Sequence, residues 1–244
     1  MKHKEYFTTI QDQMTTLMEK NDSSIAAAAK AFAQSVKDGG VVHVFGTGHS
    51  QMFAMEIFYR AGGLVPVNAL LIPHYALFPK AKLSTLQERV EGFSNQYLGL
   101  ENASEKDSLI IVSISGRNPS AVDMALKAKE MGITVVAVTS LAFSEGVTSR
   151  HSSGKLLKDL ADVIIDIPCI KGDAVLEMEG MPERFCGTST VLGMFVMQSM
   201  MADTVELLVQ AGVKPPVYVS SNLDEGDAIN DRLIKQYSHQ ISCL

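Results

Sequence analysis

Short apolar runs that alternate with glycine-containing turns and helical stretches most constrain the fold of this chain. The run Val41–Phe45 is followed by the turn Gly46–Ser50, and the run Leu109–Ser113 is followed by a turn around Gly116. After each turn comes a stretch in which apolar residues recur every three or four positions, as in an amphipathic helix. Strand, turn and helix in this repeated order are typical of a parallel sheet that helices cover on both faces.

Three further apolar runs extend this pattern, at Val65–Leu70, Ile133–Val138 and Val163–Ile167. With right-handed crossovers, we predict a Rossmann-like three-layer α/β/α fold around a mainly parallel five-stranded sheet. The other elements are predicted as helices: residues 5–37, divided at a cap formed by Asp22–Ser24, then Gln51–Arg60, Ser84–Leu100, Pro119–Met131, Thr188–Val209 and part of the tail Asn222–Leu244. No repeat or linker is visible, so we predict one domain over residues 1–244, with N-terminal helices and a C-terminal helical tail.

Charge and cysteine content argue against several classes of protein. The 244 residues carry a net charge of −6 without a basic stripe, which argues against a nucleic-acid partner. No stretch of roughly 18 uncharged apolar residues occurs and the polar N-terminus lacks a signal-peptide core, so we predict no membrane span or export. The three cysteines lack metal-ligand spacing and are typical of free thiols in a reducing compartment. We therefore predict a cytoplasmic protein.

The turn Gly46–Ser50 is the first candidate for ligand binding, because ligands of an open parallel sheet bind beyond the carboxyl ends of its strands. It offers Gly48, His49 and Ser50. A lone GxG after a strand is common, and this one lacks the third glycine of a dinucleotide fingerprint. No acidic residue clearly ends the second strand either. The sequence therefore disfavours NAD, and we predict no cofactor.

The turn from Ser113 to Ser120 is the stronger candidate. Gly116 lets the backbone approach a ligand closely, and Pro119 suits the first turn of a helix. Free backbone N–H groups and the positive end of that helix favour a phosphate. The alternative is a capped helix whose hydroxyls only satisfy its own N–H groups. The predicted phosphate- and sugar-binding residues of the two turns are Gly48, His49, Ser50, Ser113, Ser115, Gly116, Asn118 and Ser120.

These motifs resemble those of the sugar isomerase (SIS) domain family. The resemblance rests on Gly48–Ser50, on Ser113-x-Ser115-Gly116-x-Asn118 and on the matches that surround them: Ala128-Lys129-x-x-Gly132, Val138–Ser140 and Gly187–Thr190. It covers residues 25–212 and implies a phosphosugar ligand on a five-stranded parallel sheet. It also implies a homo-oligomer, either a homodimer or a homotetramer, since these proteins commonly complete their sites across subunits.

Within that family the chain is most similar to stand-alone bacterial proteins described as phosphosugar or phosphoheptose isomerases, through Ser149–Lys155 and Pro216–Asn222. Phosphoheptose isomerases carry a metal-binding His and Glu on the helix after the first turn. The matching positions here are Glu56 and Arg60, so we predict no metal site. Residues 115–119 also resemble the SGRTP stretch of N-acetylmuramic acid 6-phosphate etherase, whose acidic residue again falls at Arg60. Glu56 is either a site carboxylate or an ion-pair partner of Arg60 at i+4.

Aldose–ketose isomerisation needs a base that moves a proton between adjacent carbons. In SIS isomerases a catalytic glutamate can lie on the segment after the second strand, where this chain has Glu88 and Glu91. Their i, i+3 spacing predicts that both lie near one helix face, with Glu88 the preferred base. The alternative is that both are solvated carboxylates. His74 follows a predicted strand end and is a third candidate, with ordinary loop exposure as the alternative.

Three functions remain open on these observations. The preferred one is a phosphosugar isomerase that uses a glutamate base without a metal or nucleotide. The alternatives are an etherase or lyase that acts on a phosphorylated amino sugar, and a non-catalytic phosphosugar sensor. Arg60 argues against the second, and the lack of a basic recognition face argues against a DNA-binding form of the third.

Overall fold

A computed structural model describes residues 1–244 and confirms the predicted α/β/α fold. Five parallel strands lie in the order β2-β1-β3-β4-β5. Their bounds are β1 Val42–Gly46, β2 Val67–Ala69, β3 Ser108–Val112, β4 Thr134–Thr139 and β5 Val163–Asp166. Val44 of β1 pairs with Ala69 on one side and with Ile110 on the other. The two central strands, β1 and β3, are buried over their whole length, as the apolar runs predict.

Helices cover both faces of the sheet. The helices are α1 Lys2–Lys37, α2 Gln51–Ile57, α3 Ala81–Gln87, α4 Ser94–Leu100, α5 Pro119–Glu130, α6 Leu141–Glu145, α7 Ser189–Gln210 and α8 Gly226–Tyr237. Along β3, Ile110 belongs to the core formed with α1, α2 and α7, whereas Leu109 and Ile111 belong to the core formed with α4 and α5. This alternation follows from the two-residue period of side chains along a strand.

The predicted break at Asp22–Ser24 is wrong, because α1 runs without interruption from Lys2 to Lys37. Asn21, which is buried at the middle of α1, docks the helix on β5. Its side-chain oxygen accepts a hydrogen bond from Asp166 N at 2.7 Å, and its amide group donates to the Asp166 carbonyl at 3.0 Å. This tertiary contact outweighs the local capping tendency of the Asp-Ser-Ser sequence.

The single helix predicted over Ser84–Leu100 is also wrong, since α3 ends at Gln87 and α4 begins at Ser94. Gly92 lies between them with φ +77°, a conformation that interrupts a right-handed helix. Glu88 and Glu91 therefore do not share a helix face, and their carboxylates contact different parts of the molecule.

A β-hairpin that the sequence pattern did not reveal connects the sheet to α7. Its strands are β6 Ala174–Met178 and β7 Met181–Gly187, and it is exposed over most of its length. At its base Asp173 accepts hydrogen bonds from Thr188 N at 3.1 Å and Ser189 N at 2.9 Å. These contacts satisfy the first amides of α7 and fix where that helix begins.

By length and composition alone, α7 is a candidate for crossing a membrane. It packs against α1 and α2, however, and 44% of its most apolar window is buried inside the fold. Gly193 of α7 lies directly against the ring of Phe53 in α2, so that a Cβ atom there would overlap the ring. A helix that lies this close to its neighbours is acting as part of the core.

Candidate functional site

A cavity of about 350 Å³ opens at the carboxyl ends of β1 and β3, which are neighbours in the sheet. The turn after β1 and the turn after β3 both contribute to its wall. The lining residues are Thr47, Ser50, Glu88, Ser113, Ile114, Ser115, Asn118, Phe143, Gly172 and Asp173. Five of the predicted site residues therefore meet in one place: Ser50, Glu88, Ser113, Ser115 and Asn118.

The turn after β3 presents hydrogen-bond donors that have no partner within the chain. Gly116 has φ +61°, and a Cβ atom there would lie 3.3 Å from Thr139 Oγ1 at the end of β4. The amides of Ser115, Arg117 and Asn118 donate to no acceptor in the chain, and the hydroxyls of Ser113 and Ser115 make no hydrogen bond. Converging free donors of this kind form a ready anion-binding concavity.

Asn118 is the N-cap of α5, but its side chain does not cap the helix. Its Oδ1 instead accepts a hydrogen bond from Arg150 Nη1 at 2.8 Å. An arginine can only donate, so this contact fixes which end of the amide faces Arg150 and leaves the Nδ2 group free to donate to a ligand.

Ser120 lies outside the cavity, at the second residue of α5. Its amide donates to the backbone carbonyl of Glu88 at 3.2 Å, and its hydroxyl is buried without a partner. The free amides of the site therefore belong to the turn itself and not to the first turn of the helix. The same contact brings the Glu88 segment next to the turn after β3.

Glu88 follows α3 directly and is half-buried. Its Oε2 accepts a hydrogen bond from Thr47 Oγ1 at 2.8 Å, which holds the carboxylate between the two turns. Thr47 and Asp173 also line the cavity but were not among the predicted residues. Thr47 lies inside the Gly46–Ser50 turn, where its hydroxyl was a visible signal. Asp173 arrives through the base of the hairpin, which no local pattern links to the site.

Glu91, His74 and His49 do not line the cavity. The Glu91 carboxylate accepts hydrogen bonds from the hydroxyl and the backbone amide of Ser152, both at 2.7 Å, and these lower its pKa. His74 is exposed and rests edge-on against Phe93, with ring centroids 5.3 Å apart. His49 is exposed as well, while Gly48 shapes its turn with φ +56°.

Glu56 is the ion-pair partner that its spacing from Arg60 allowed. Its carboxylate contacts the guanidinium of Arg60 and accepts a hydrogen bond from Gln198 Nε2 at 2.8 Å. Both contacts link α2 to its surroundings away from the cavity. The sequence left two roles open for Glu56, a site carboxylate or an ion-pair partner of Arg60, and the geometry fits the ion pair.

A second group of polar side chains lies at the amino ends of the same strands. His43 is fully buried; its Nδ1 accepts a hydrogen bond from Asn68 at 3.1 Å, and its Nε2 lies 3.5 Å from Asp107 Oδ2. Burial raises the pKa of Asp107, but hydrogen bonds from His43, Val41 N and Ser104 N outweigh it and lower the pKa below its ordinary 3.8. His43 is thus a satisfied core residue.

The largest cavity, of about 710 Å³, lies elsewhere, between the end of α1, residues 213–219 and α8. Apolar side chains dominate its wall, and no serine or threonine hydroxyl lines it. Size alone would favour this cavity, but a binding site for a polar ligand needs convergent polar groups. We therefore place the candidate site in the smaller cavity.

The fold and the paired turns define the class of protein. The profile of the SIS domain family matches residues 5–140, more than half of the chain and both turns, so this chain belongs to the SIS domain family. Within it, the chain is similar to proteins of the UPF0309 group. It is 37% identical to one from Geobacillus thermodenitrificans over 240 residues (98% of this chain, 96% of the relative) and 41% identical to one from Halalkalibacterium halodurans over 224 residues (92% and 93%).

Solved structures share the fold at low sequence identity. A phosphoheptose isomerase from Francisella tularensis superposes with a TM-score of 0.57 at 17% identity, covering 84% of this chain and 97% of that one. A phosphoheptose isomerase from Neisseria gonorrhoeae gives 0.55 at 16% identity, with the same coverage. These likenesses establish the α/β/α architecture that was expected from the sequence.

Proposed function

We propose that this protein binds a phosphorylated sugar in the cavity at the carboxyl ends of β1 and β3 and interconverts its aldose and ketose forms. Membership of the SIS domain family and a fold shared with phosphoheptose isomerases support the ligand class. The observation that carries the proposal is the position of Glu88, a carboxylate held across the cavity from unpartnered hydroxyls and amides.

The phosphate binds in the turn after β3. The free amides of Ser115, Arg117 and Asn118 and the hydroxyls of Ser113 and Ser115 donate to its oxygens. These donors are fixed by the backbone before the ligand arrives, so binding costs little reorganisation. The net charge of −6 is no obstacle, because the local donors and not the overall charge determine the site.

Glu88 is the base of the proposed reaction. Its carboxylate takes the proton from the carbon next to the carbonyl, and the electron pair left behind forms an enediolate. The protonated Glu88 then returns the proton to the neighbouring carbon, while the hydroxyl and carbonyl oxygens exchange a proton. Thr47 orients the carboxylate through its 2.8 Å hydrogen bond.

We also propose that the whole chain forms one domain and that identical copies of it assemble into an oligomer. One core cluster joins buried residues from positions as far apart as Leu17 and Leu208, which supports residues 1–244 as a single domain. Met52 and Met55 of α2 and Val191 and Phe195 of α7 are exposed on packed helices and offer an apolar face for a homodimer or homotetramer. Analytical sedimentation at two protein concentrations measures the oligomeric state and so tests this assembly. The three unpaired cysteines fit a cytoplasmic location.

The test is incubation with a panel of phosphosugars in heavy water, with deuterium at the substrate carbons followed by NMR. The wild-type protein should incorporate solvent deuterium into C1 or C2 of its substrate. Glu88→Gln should lower the exchange rate by about 10²- to 10⁴-fold while the sugar still binds, because only the proton transfer is removed.

Glu91→Gln is the matched control, since Glu91 is three residues away but contacts Ser152 outside the cavity. Its exchange rate should stay within about twofold of the wild type. Tight binding of a phosphosugar by the wild type without exchange would contradict the isomerase and favour the sensor. If Glu91→Gln loses exchange and Glu88→Gln does not, then Glu91 is the base and the assignment to Glu88 is wrong.

A further inference from the structure

Three arginines lie on segments next to the candidate site, whose lining includes Glu88 and Asn118. Arg89 follows the proposed base directly, Arg117 belongs to the phosphate turn, and Arg150 lies on residues 147–156, which run beside that turn. Arg150 N donates to the Arg117 carbonyl at 2.9 Å, and the Arg150 guanidinium donates to Asn118 Oδ1 at 2.8 Å. Asn118 lines the cavity, so the Arg150 guanidinium lies at the edge of the cavity, and the charges of Arg117 and Arg89 are near enough to act on Arg150.

None of these arginines has a carboxylate partner. Arg117 donates only to the carbonyl of Thr148 at 2.9 Å and to its hydroxyl at 3.5 Å, and the Arg89 side chain makes no hydrogen bond. By contrast, Arg60 is paired with Glu56, and Arg184 is paired with Glu177. These three arginines outnumber the two carboxylates that line the cavity, Glu88 and Asp173, although the whole chain has a net charge of −6.

The arginines also influence one another. Burial first, and then the neighbouring charges of Arg117 and Arg89, lower the pKa of Arg150, while Glu88 acts in the opposite direction. Glu88 acts on Arg150 from the cavity wall, and its carboxylate already accepts a hydrogen bond from the hydroxyl of Thr47. A bound anion would relieve this crowding of like charges.

We propose that the physiological ligand carries a second anionic group, a carboxylate or a further phosphate, and that Arg89, Arg117 and Arg150 bind it. This rests on the proposed phosphosugar function, because the first phosphate occupies the amides and hydroxyls of the turn. Guanidinium groups bind carboxylates and phosphates through two parallel hydrogen bonds, and such charge-assisted bonds are about twice as strong as neutral ones. The ligand class is thus a phosphosugar acid or a sugar bisphosphate.

The test compares two matched pairs of probes by calorimetry at constant ionic strength. Glucose 6-phosphate and glucose 1,6-bisphosphate differ only in the second phosphate, and sorbitol 6-phosphate and 6-phosphogluconate differ only in the carboxylate. In at least one pair, the member with two anionic groups should bind about 10-fold more tightly or better. Which pair shows the difference identifies the second group.

The double variant Arg89→Met, Arg117→Met should lower this ratio by about threefold or more, because only Arg150 is left to bind the second anionic group. Arg150 is left unchanged because it also orients Asn118. The matched control is Arg232→Met, which removes an arginine from α8, away from the cavity, and should leave the ratio unchanged. If the double variant weakens both members of a pair equally, the arginines serve the single phosphate and the inference is overturned.

The inference and the proposed function fail in different ways. If no probe binds the wild-type protein, or Ser115→Ala has no effect on any of them, the phosphosugar site itself is wrong. If the single phosphates bind and depend on Ser115 but neither pair shows a difference, the second-anion inference alone falls. A difference of undiminished size in the double variant also overturns it.

Discussion

Two groups of polar side chains lie at opposite ends of the same sheet, and they differ in how their hydrogen bonds are used. At the amino ends of the strands, both ring nitrogens of His43 and both carboxylate oxygens of Asp107 have partners. At the carboxyl ends, the hydroxyls of Ser50, Ser113 and Ser115 have none. The first group lies at the start, and the second after the end, of the same two apolar strands, β1 and β3.

The difference separates polar residues that stabilise the fold through hydrogen bonds within the chain from polar residues that remain free to bind the proposed ligand. A buried donor or acceptor without a partner costs about 1–3 kcal/mol, so the amino-end group must be satisfied within the chain. The hydroxyls at the other end are half-buried and face an open cavity, so water satisfies them until a ligand replaces it. Substitutions at the two ends should therefore affect different properties.

The largest effect is expected for Asp107→Ala at the amino ends. The change leaves the buried amides of Val41 and Ser104 and the His43 ring without an acceptor. We expect the free energy of unfolding to fall by about 3–5 kcal/mol, measured by urea denaturation. Asp107→Asn keeps one acceptor oxygen and should cost less, which provides a measurement if the alanine variant does not fold.

The contrast fails if Asp107→Asn and Asp107→Ala unfold at the same urea concentration as the wild type. It also fails if folded Asp107→Asn loses its affinity for phosphosugars, because that group lies at the opposite edge of the sheet from the cavity. Either result would mean that satisfied hydrogen bonds do not distinguish structural residues from site residues in this protein.

Much of this comparison was visible in the sequence. The strand positions follow from the apolar runs, and the turn after β3 follows from Gly116 and Pro119, because these depend on local preferences. Glu88 and Glu91 do not share a helix because α3 ends at Gln87, and Gly92, with its positive φ, lies in the segment before α4. A glycine inside a helical pattern is compatible with either outcome, so the spacing alone favoured the wrong one.

Contacts between distant segments could not be predicted in this way. Asn21 keeps α1 continuous only because β5 lies beside it, 145 residues further along the chain. Asp173 reaches the cavity through the base of the hairpin, and the bond from Arg150 to Asn118 spans 32 residues. No periodicity in the sequence encodes such pairs, since they arise from the way the elements pack.

A pair of serine substitutions, one at each end of the sheet, tests the comparison through effects of intermediate size. Ser115→Ala removes a hydroxyl that has no partner in the chain, so stability should change by less than about 0.5 kcal/mol. The affinity for a phosphosugar should fall by about 10-fold or more, since a hydrogen bond to a charged group is worth about 1.5–3 kcal/mol. Calorimetric titration and urea denaturation measure the two quantities.

Ser35→Ala is the matched change at the amino ends. Ser35 and Ser108 are buried and share a 2.8 Å hydrogen bond between α1 and β3. Its loss should cost about 1 kcal/mol of stability and leave phosphosugar affinity unchanged. If both serines affect stability and affinity to the same degree, the two ends of the sheet do not differ in the way described.

The smallest effect concerns pH and again separates the two ends. The pKa of Asp107 lies below 3.8 in the folded protein, so the folded state binds its proton less readily than the unfolded state. Its contribution to stability is therefore fully present above its ordinary pKa of 3.8 and is lost as the pH falls through the lower folded value. Asp107→Asn cannot titrate, so its unfolding free energy should decrease less than that of the wild type between about pH 6 and pH 3. Ser115→Ala should follow the wild-type curve, and an identical pH dependence in all three proteins would show that Asp107 is not the group responsible.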